Sequence, residues 1–297
     1  MTYLSVQEAA EKWGLSARSV RNYCAAGRIA GAFQTGRSWN IPADAQLPHR
    51  KPRTGTKPRT LLTILRQEKA NQQKGGIYHR IQIDLTYNSN HIEGSRLSHE
   101  ETRYIYETNT IGQTNNRRIN VDDIVETMNH FRCIDRIIDT AENRITEKMI
   151  KELHRQLKSG TSDSRQNWFA VGDYKRLPNE VGGNPTCPPE EVATKIKELL
   201  TWYNERKNIS FDDLLEFHHR FEQIHPFQDG NGRVGRLLLF KECLHHKIVP
   251  FIITDQLKLF YYRGLANWKN EKGWLRDTCL TAQDAFKKHL DYFRISY

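Results

Sequence analysis

The chain has 297 residues, of which 37% are hydrophobic and 10% aromatic, enough for one sizeable core and a small accessory module and too many for wholesale disorder. Its apolar runs are as short as Leu237-Leu238-Leu239-Phe240, its first residues lack the charged start and apolar stretch of a secretion signal, and its five cysteines are scattered without CxxC spacing; a membrane span, a leader, a disulfide framework and a structural zinc site are not expected, and a reducing cytoplasm is. The formal charge of +10 is uneven, because residues 1–60 hold ten lysines and arginines against only Glu8, Glu11 and Asp44, which suits a polyanionic partner or a solubilising basic arm.

From the N-terminus, Leu4-Ser5-Val6-Gln7-Glu8 opens a capped helix, Gly14 makes a turn, and Ser16 caps a second helix beginning Ala17-Arg18-Ser19-Val20-Arg21-Asn22. Ala9, Ala10, Trp13, Leu15, Val20 and Tyr23 would pack the two helices together and leave Arg18, Arg21 and Asn22 outward, placed to meet phosphates and base edges. Ala32-Phe33-Gln34 and Trp39-Asn40-Ile41-Pro42 flank Gly36 as the strands of a hairpin would. Residues 1–45 resemble the winged helix-turn-helix of excisionase- and MerR-like modules, which implies DNA as a partner; a small protein-docking domain is the alternative. One such module binds DNA weakly, so promoter regulation would call for a homodimer. Residues 46–60, rich in Pro, Gly, Lys and Arg, read as an extended linker.

Residues 61–297 read as one mainly α domain. The stretch Ile81–Tyr87 is mixed in pattern, but Gly94 makes a helix stop that puts Glu93 in the last turn. Ile124, Val125, Met128, Phe131, Ile134 and Ile138 recur at helical spacing, Thr146 caps the next helix, and Pro188-Pro189 introduces another around 192–203. A short hairpin is expected near 180–187, turning at Gly182-Gly183-Asn184. Ser210 and Asp213 form a capping box ahead of an amphipathic helix ending near Ile224. The adjacent pairs His218-His219 and His245-His246 diverge on a helix and read as solvated or core histidines.

The chemistry concentrates in His225-Pro226-Phe227-Gln228-Asp229-Gly230-Asn231-Gly232-Arg233-Val234-Gly235-Arg236. Pro226 and the glycines impose a loop over 225–231, with a helix starting at Asn231 or Gly232. Unpaired N–H groups at a helix start bind anions, and glycine lets backbone approach a phosphate. Arg233 and Arg236 add cations on one side of the first turn. Asp229 is out of place beside an anion unless it holds a divalent cation, for which Mg²⁺ bridging one carboxylate and phosphates is the common arrangement. His225 can accept a proton near neutral pH, and Phe227 anchors the loop. These parts suit transfer of a phosphorus-containing group to a hydroxyl.

The segment resembles the Fic family signature His-x-Phe-x-(Asp/Glu)-Gly-Asn-Gly-Arg-x-x-Arg at every defined position. The resemblance, extending over about residues 85–270, implies a Fic-type helical bundle with a β-hairpin flap that transfers AMP from ATP to a Ser, Thr or Tyr hydroxyl of a protein. It implies that His225 deprotonates the hydroxyl, Asp229 binds Mg²⁺, Gly230, Asn231, Gly232 and Arg233 cradle the α- and β-phosphates, and Arg236 meets the γ-phosphate. Val181, Gly182, Gly183, Asn184 and Thr186 then belong to a target-positioning flap, whose free strand edge would take up the target backbone. Tyr261 and Tyr262, with Leu265, resemble the helix lining the adenine pocket, with ordinary core packing as the alternative. Ser89-Asn90-His91-Ile92-Glu93-Gly94 resembles the family's inhibitory motif, implying that Glu93 pairs with Arg236 and hinders ATP, in cis or across a dimer. Three functions remain open: AMP transfer, AMP removal at the same site, and a DNA-binding regulator whose Fic fold senses a nucleotide.

Overall fold

The computed structural model describes residues 2–36, 38–47, 59–112 and 117–297, which form two compact units, 1–58 and 59–297. Most of the linker expected over 46–60 lies outside the described residues.

In the first unit, α1 (Val6–Trp13) starts at a capping box between Ser5 and Glu8 and stops at Gly14, whose φ of 62° permits a left-handed cap. Ser16 caps α2 (Ala17–Ala25) by accepting from the Ser19 N–H. Strand β2 (Phe33–Thr35) returns as β3 (Ser38–Pro42), with Phe33 opposite Asn40 and Thr35 opposite Ser38. A third strand, β1 (Tyr3–Leu4), pairs with the far edge of β3. It adds to the two-stranded wing read from the sequence, where two residues are too few to carry a period. Ala9, Ala10, Val20, Cys24, Ile29 and Ile41 form the core.

The second unit is a helical bundle wound around one buried helix. Helices α3 (Leu61–Ala70), α4 (Ile77–Ile92), α5 (His99–Thr108), α6 (Val121–Asp139) and α7 (Glu147–Lys158) precede a loop that carries the hairpin β4 (Glu180–Val181) and β5 (Asn184–Pro185). Then follow α8 (Pro189–Asn204), α9 (Phe211–Ile224), α10 (Asn231–His245), α11 (Lys258–Asn267) and α12 (Lys272–Tyr292). The hairpin turns on Gly182 and Gly183, both with positive φ, while Asn184 opens the returning strand instead of sharing the turn.

Helix α10 is buried from Asn231 to Leu244 and packs against α4, α6, α7 and α9. Its charged residues inside the bundle are paired: Lys241 reaches Glu242 Oε1 at 2.6 Å, and the Tyr203 hydroxyl donates to Glu242 Oε2 at 2.6 Å. Helix α4 buries Ile77, Ile81 and Leu85 together with Ile83, Ser89 and Ile92. Burial on more than one face leaves no amphipathic stripe, which is why its pattern reads as mixed. Among the described residues no helix is long and apolar enough to cross a membrane, and all five cysteines are free.

Candidate active site

The loop between α9 and α10 is fixed from several sides. His225 ends α9 in a left-handed conformation, φ 51°, which swings the chain out of the helix. Phe227 is fully buried, contributing roughly 2–3 kcal/mol by its burial. The Asn231 side chain clamps the loop by accepting from the Phe227 N–H and donating to the Phe227 carbonyl, each at 2.7 Å. That side chain is spent on the loop, so Asn231 can offer a phosphate only its backbone N–H.

His154, on α7, stacks on Phe227 with ring centroids 3.9 Å apart and planes within 5°. Its Nδ1 accepts from the Gly172 N–H at 2.9 Å, which leaves Nε2 to donate to the Asp229 carbonyl at 3.1 Å. Burial lowers its pKa to about 3, so the ring is neutral and keeps this tautomer. Sequence reading missed His154, because a histidine inside an amphipathic helix carries no local sign of what it meets.

At the start of α10, Gly230 has φ 82° and no side chain caps the helix. Helices α1, α2, α5, α7 and α9 each have a Ser or Thr cap instead. The first-turn N–H groups of α10 are thereby left for an anion.

Asp229 stands beside this helix start. Its Oδ2 receives Lys158 Nζ at 2.6 Å and Arg233 at 3.0 Å. Burial opposes ionisation, but Arg233 and Lys158 outweigh it and hold the carboxyl far below the usual carboxylate range. Glu126, on α6, accepts from both Arg233 and Lys158 and closes a ring of alternating charge. Among the described residues no group of three or more His, Cys, Asp and Glu is placed to hold a metal ion. The donor set therefore fits a Mg²⁺ that takes one carboxylate here and its other oxygens from phosphates and water, and does not fit an all-protein metal cage.

His225 is half-buried, with Nδ1 3.4 Å from the Glu222 carbonyl. Donation there leaves Nε2 free to accept a proton. Burial lowers its pKa, and the charge of Lys175 lowers it further, so the neutral base is favoured. Lys175 is itself buried, its pKa lowered to about 8, and ties the flap base to the loop: Nζ donates to Asn179 Oδ1 at 2.7 Å and Thr186 Oγ at 2.6 Å, and its N–H donates to the Pro226 carbonyl.

The segment Ser89–Gly94 lies against the same helix start. Ser89 and Asn90 are in the last turn of α4, Glu93 is its C-cap, and Gly94 follows with φ 98°. Arg236 donates to Glu93 Oε1 at 2.7 Å, to the Ser89 carbonyl at 2.8 Å and to the Ser89 hydroxyl at 3.1 Å. A Cβ on Gly232 would lie 2.2 Å from Glu93 Oε1, so the carboxylate rests on the backbone that a phosphate would approach.

A groove of about 1140 Å³ is lined by the flap residues Val181, Gly182, Asn184 and Thr186, by Glu222 and Ile224 of α9, which ends just before His225, and by Tyr262 and Leu265 of α11. Tyr261 corrects the expectation of a pocket-lining pair. It is fully buried with its hydroxyl 2.6 Å from His218 Nε2, because successive helical residues face directions about 100° apart. Glu222 was not singled out by its sequence position. Among the described residues its buried Oε1 has no hydrogen-bond partner, and burial pushes its pKa up to about 8. His218 and His219 are core residues, whereas His245 and His246 are half-buried.

In the first unit, Arg18, Arg21 and Asn22 are exposed on α2, with Val20 and Cys24 buried on its other side.

Residues 144–242 match the Fic/DOC family. The chain is 24% identical to protein adenylyltransferase fic-1 of Caenorhabditis elegans over 217 residues, 71% of this chain and 41% of the relative. It is 29% identical to protein adenylyltransferase Fic of Aedes aegypti over 186 residues, 61% of this chain and 36% of the relative. The chain thus spans less than half the length of these curated relatives. Among solved structures, a Fic domain containing signaling protein from Bacteroides thetaiotaomicron aligns with TM-score 0.62 at 22% identity, covering 77% of this chain and 94% of that one. Fic-1 (residues 134–508) from C. elegans aligns with TM-score 0.60 at 20% identity, covering 80% and 72%. These likenesses establish the mainly helical Fic fold.

Proposed function

Starting from that fold and the Fic/DOC match across the catalytic loop, we propose that the chain is a protein adenylyltransferase that uses ATP and Mg²⁺ and is held in check by Glu93. The observation that carries this reading is the loop over 225–231. It carries His225 at the end of α9 and Asp229 beside an uncapped helix N-terminus, with Arg233 and Arg236 in the helix that follows.

His225 Nε2 takes the proton of a target Ser, Thr or Tyr hydroxyl. The oxygen attacks the α-phosphorus of ATP, the bond to the bridging oxygen breaks, and pyrophosphate leaves. The N–H groups of Gly230, Asn231 and Gly232 hold the α- and β-phosphates, and Arg236 meets the γ-phosphate once Glu93 withdraws. Asp229 would hold Mg²⁺, which when bound neutralises phosphate charge. Tyr262 and Leu265 border the nucleotide base, and the free edge of β4–β5 aligns the target backbone through Val181, Gly182, Gly183, Asn184 and Thr186. The winged module at 1–45 binds DNA through Arg18, Arg21 and Asn22, as a homodimer where it regulates a promoter. Five free cysteines suit a reducing cytoplasm.

The test incubates the Glu93→Gly chain with Mg²⁺ and ATP labelled at the α- or the γ-phosphate, beside wild type and Glu93→Gly/His225→Ala. Label entering protein from α alone, and only in Glu93→Gly, supports the reading. Entry from γ makes the chain a kinase. No label from either, with cell lysate as target, turns the reading towards AMP removal or a nucleotide-sensing regulator.

A further inference from the structure

Lys158 is the last residue of α7 and its side chain is 3% exposed, yet its ammonium reaches three carboxylates. Nζ lies 2.5 Å from Glu126 Oε1, 2.6 Å from Asp229 Oδ2 and 3.3 Å from Asp163 Oδ2. The Asp229 side chain, by contrast, is 46% exposed. The buried ammonium therefore sits on a carboxylate that, on the reading above, belongs to a divalent cation. A cation bound to that carboxylate at about 2.1 Å would stand beside a like charge unless the ammonium moved. A place to move exists, because Glu126 and Asp163 both lie within reach of Nζ. Arg233 keeps its bond to Glu126 in either arrangement, so the ring does not open when Lys158 lets go of Asp229.

We propose that Lys158 is a positioning residue for the metal: an internal counter-cation that holds Asp229 while no nucleotide is bound, withdraws to Glu126 and Asp163 when a divalent cation arrives with a nucleoside triphosphate, and so sets the affinity of the site for that cation. The proposal rests on Asp229 being the metal carboxylate. A purely structural ion pair would affect stability when removed and leave the metal affinity of the folded protein unchanged.

The experiment titrates Mn²⁺, followed by its electron paramagnetic resonance, into the full-length Glu93→Gly chain saturated with a non-hydrolysable ATP analogue. Lys158→Met is expected to bind Mn²⁺ about tenfold more tightly, since the competing cation is gone, and Lys158→Arg to stay near the parent. Asp163→Asn, a change at a half-buried residue in a short 3-10 turn, removes one refuge of the ammonium and is expected to weaken Mn²⁺ binding severalfold. It carries the test if Lys158→Met does not fold. Unchanged or weaker Mn²⁺ binding in a folded Lys158→Met, or unchanged binding in Asp163→Asn, overturns the proposal. Asp229→Asn separates the two levels: if it binds Mn²⁺ like the parent, the assignment of Asp229 fails and the role of Lys158 falls with it. If it loses Mn²⁺ while the Lys158 variants do not respond, only the role of Lys158 fails.

Discussion

Glu93 Oε1 and Arg236 meet at 2.7 Å although 143 positions separate them in the chain, and the same guanidinium is held by the carbonyl and hydroxyl of Ser89. The contact is made within one chain, so the restraint proposed for Glu93 requires no second copy. Arg236 is fully enclosed; burial opposes its charge, but Glu93 outweighs that and keeps its pKa above the ordinary arginine value. A γ-phosphate must replace a partner that is already well placed.

Glu93→Gly is therefore expected to raise AMP incorporation from ATP by about ten- to a hundredfold, the range of typical coupling free energies. Initial rates with α-labelled ATP measure it. Equal rates in the two proteins would sink the brake.

His225→Ala in the same background should cost about 10²–10⁴ in rate, the usual share of a general base. Since burial and Lys175 lower the His225 pKa, the neutral base persists into mildly acidic solution. The acid limb of the rate profile should then have its midpoint below about 6.5, the ordinary histidine value. A midpoint above 7 contradicts the assignment.

Gly232→Ala tests the shared footprint of carboxylate and phosphate. The added methyl would sit 2.2 Å from Glu93 Oε1 and 2.9 Å from Arg236, so Glu93 must leave, yet the same methyl obstructs a phosphate. We expect ATP binding weaker than in Glu93→Gly by about tenfold or more, read by calorimetry. Binding as tight as in Glu93→Gly would show that the phosphates approach elsewhere.

Four buried histidines make the fold acid-sensitive. Burial lowers the pKa of His130, His154 and His218 to about 3 and that of His219 to about 4. Each lies below the unfolded value near 6.5, so the unfolded chain binds more protons, and this stability is present above pH 6.5 and lost as pH falls towards 4–3. At pH 5.5 each costs up to about 1.4 kcal/mol. Glu222, its pKa raised to about 8 by burial, acts in the opposite sense and offsets roughly half of this loss, whereas His99, raised by the bond to Asp84, is exposed and screened. Urea denaturation at pH 7.5 and 5.5 should show a loss of roughly 3–4 kcal/mol. A stability that rises on acidification contradicts this.

Arg18→Ala/Arg21→Ala removes two exposed cations of α2. DNA binding should weaken, and the slope of log affinity against log salt should become shallower by about 2. A protein that retards no DNA at low salt, or a slope left unchanged, removes DNA from its partners.

The parts that the sequence determined share one physical property: their chemistry is contiguous. In residues 225–236 the loop breakers, the helix start, His225, Asp229 and both arginines lie within twelve positions, so spacing alone sets their geometry. The same holds for Ser5 with Glu8 and Ser210 with Asp213, whose caps close within three residues. The two-residue strand β1 and the helix α4, buried on more than one face, were illegible because neither carries a clean period. The contact of Glu93 with Arg236 could be inferred only through the family motif, since nothing local aims one at the other. Glu126, Lys158, His154 and Glu222 occupy ordinary helical positions. Glu126, Lys158 and His154 matter through partners distant in the chain, brought within hydrogen-bond distance only when the helices pack, and Glu222 matters through the burial that the same packing imposes. Tyr261 and Tyr262 make the same point at closest range. As sequence neighbours they look alike, and only the packing of α11 sends one into the core and the other to the groove.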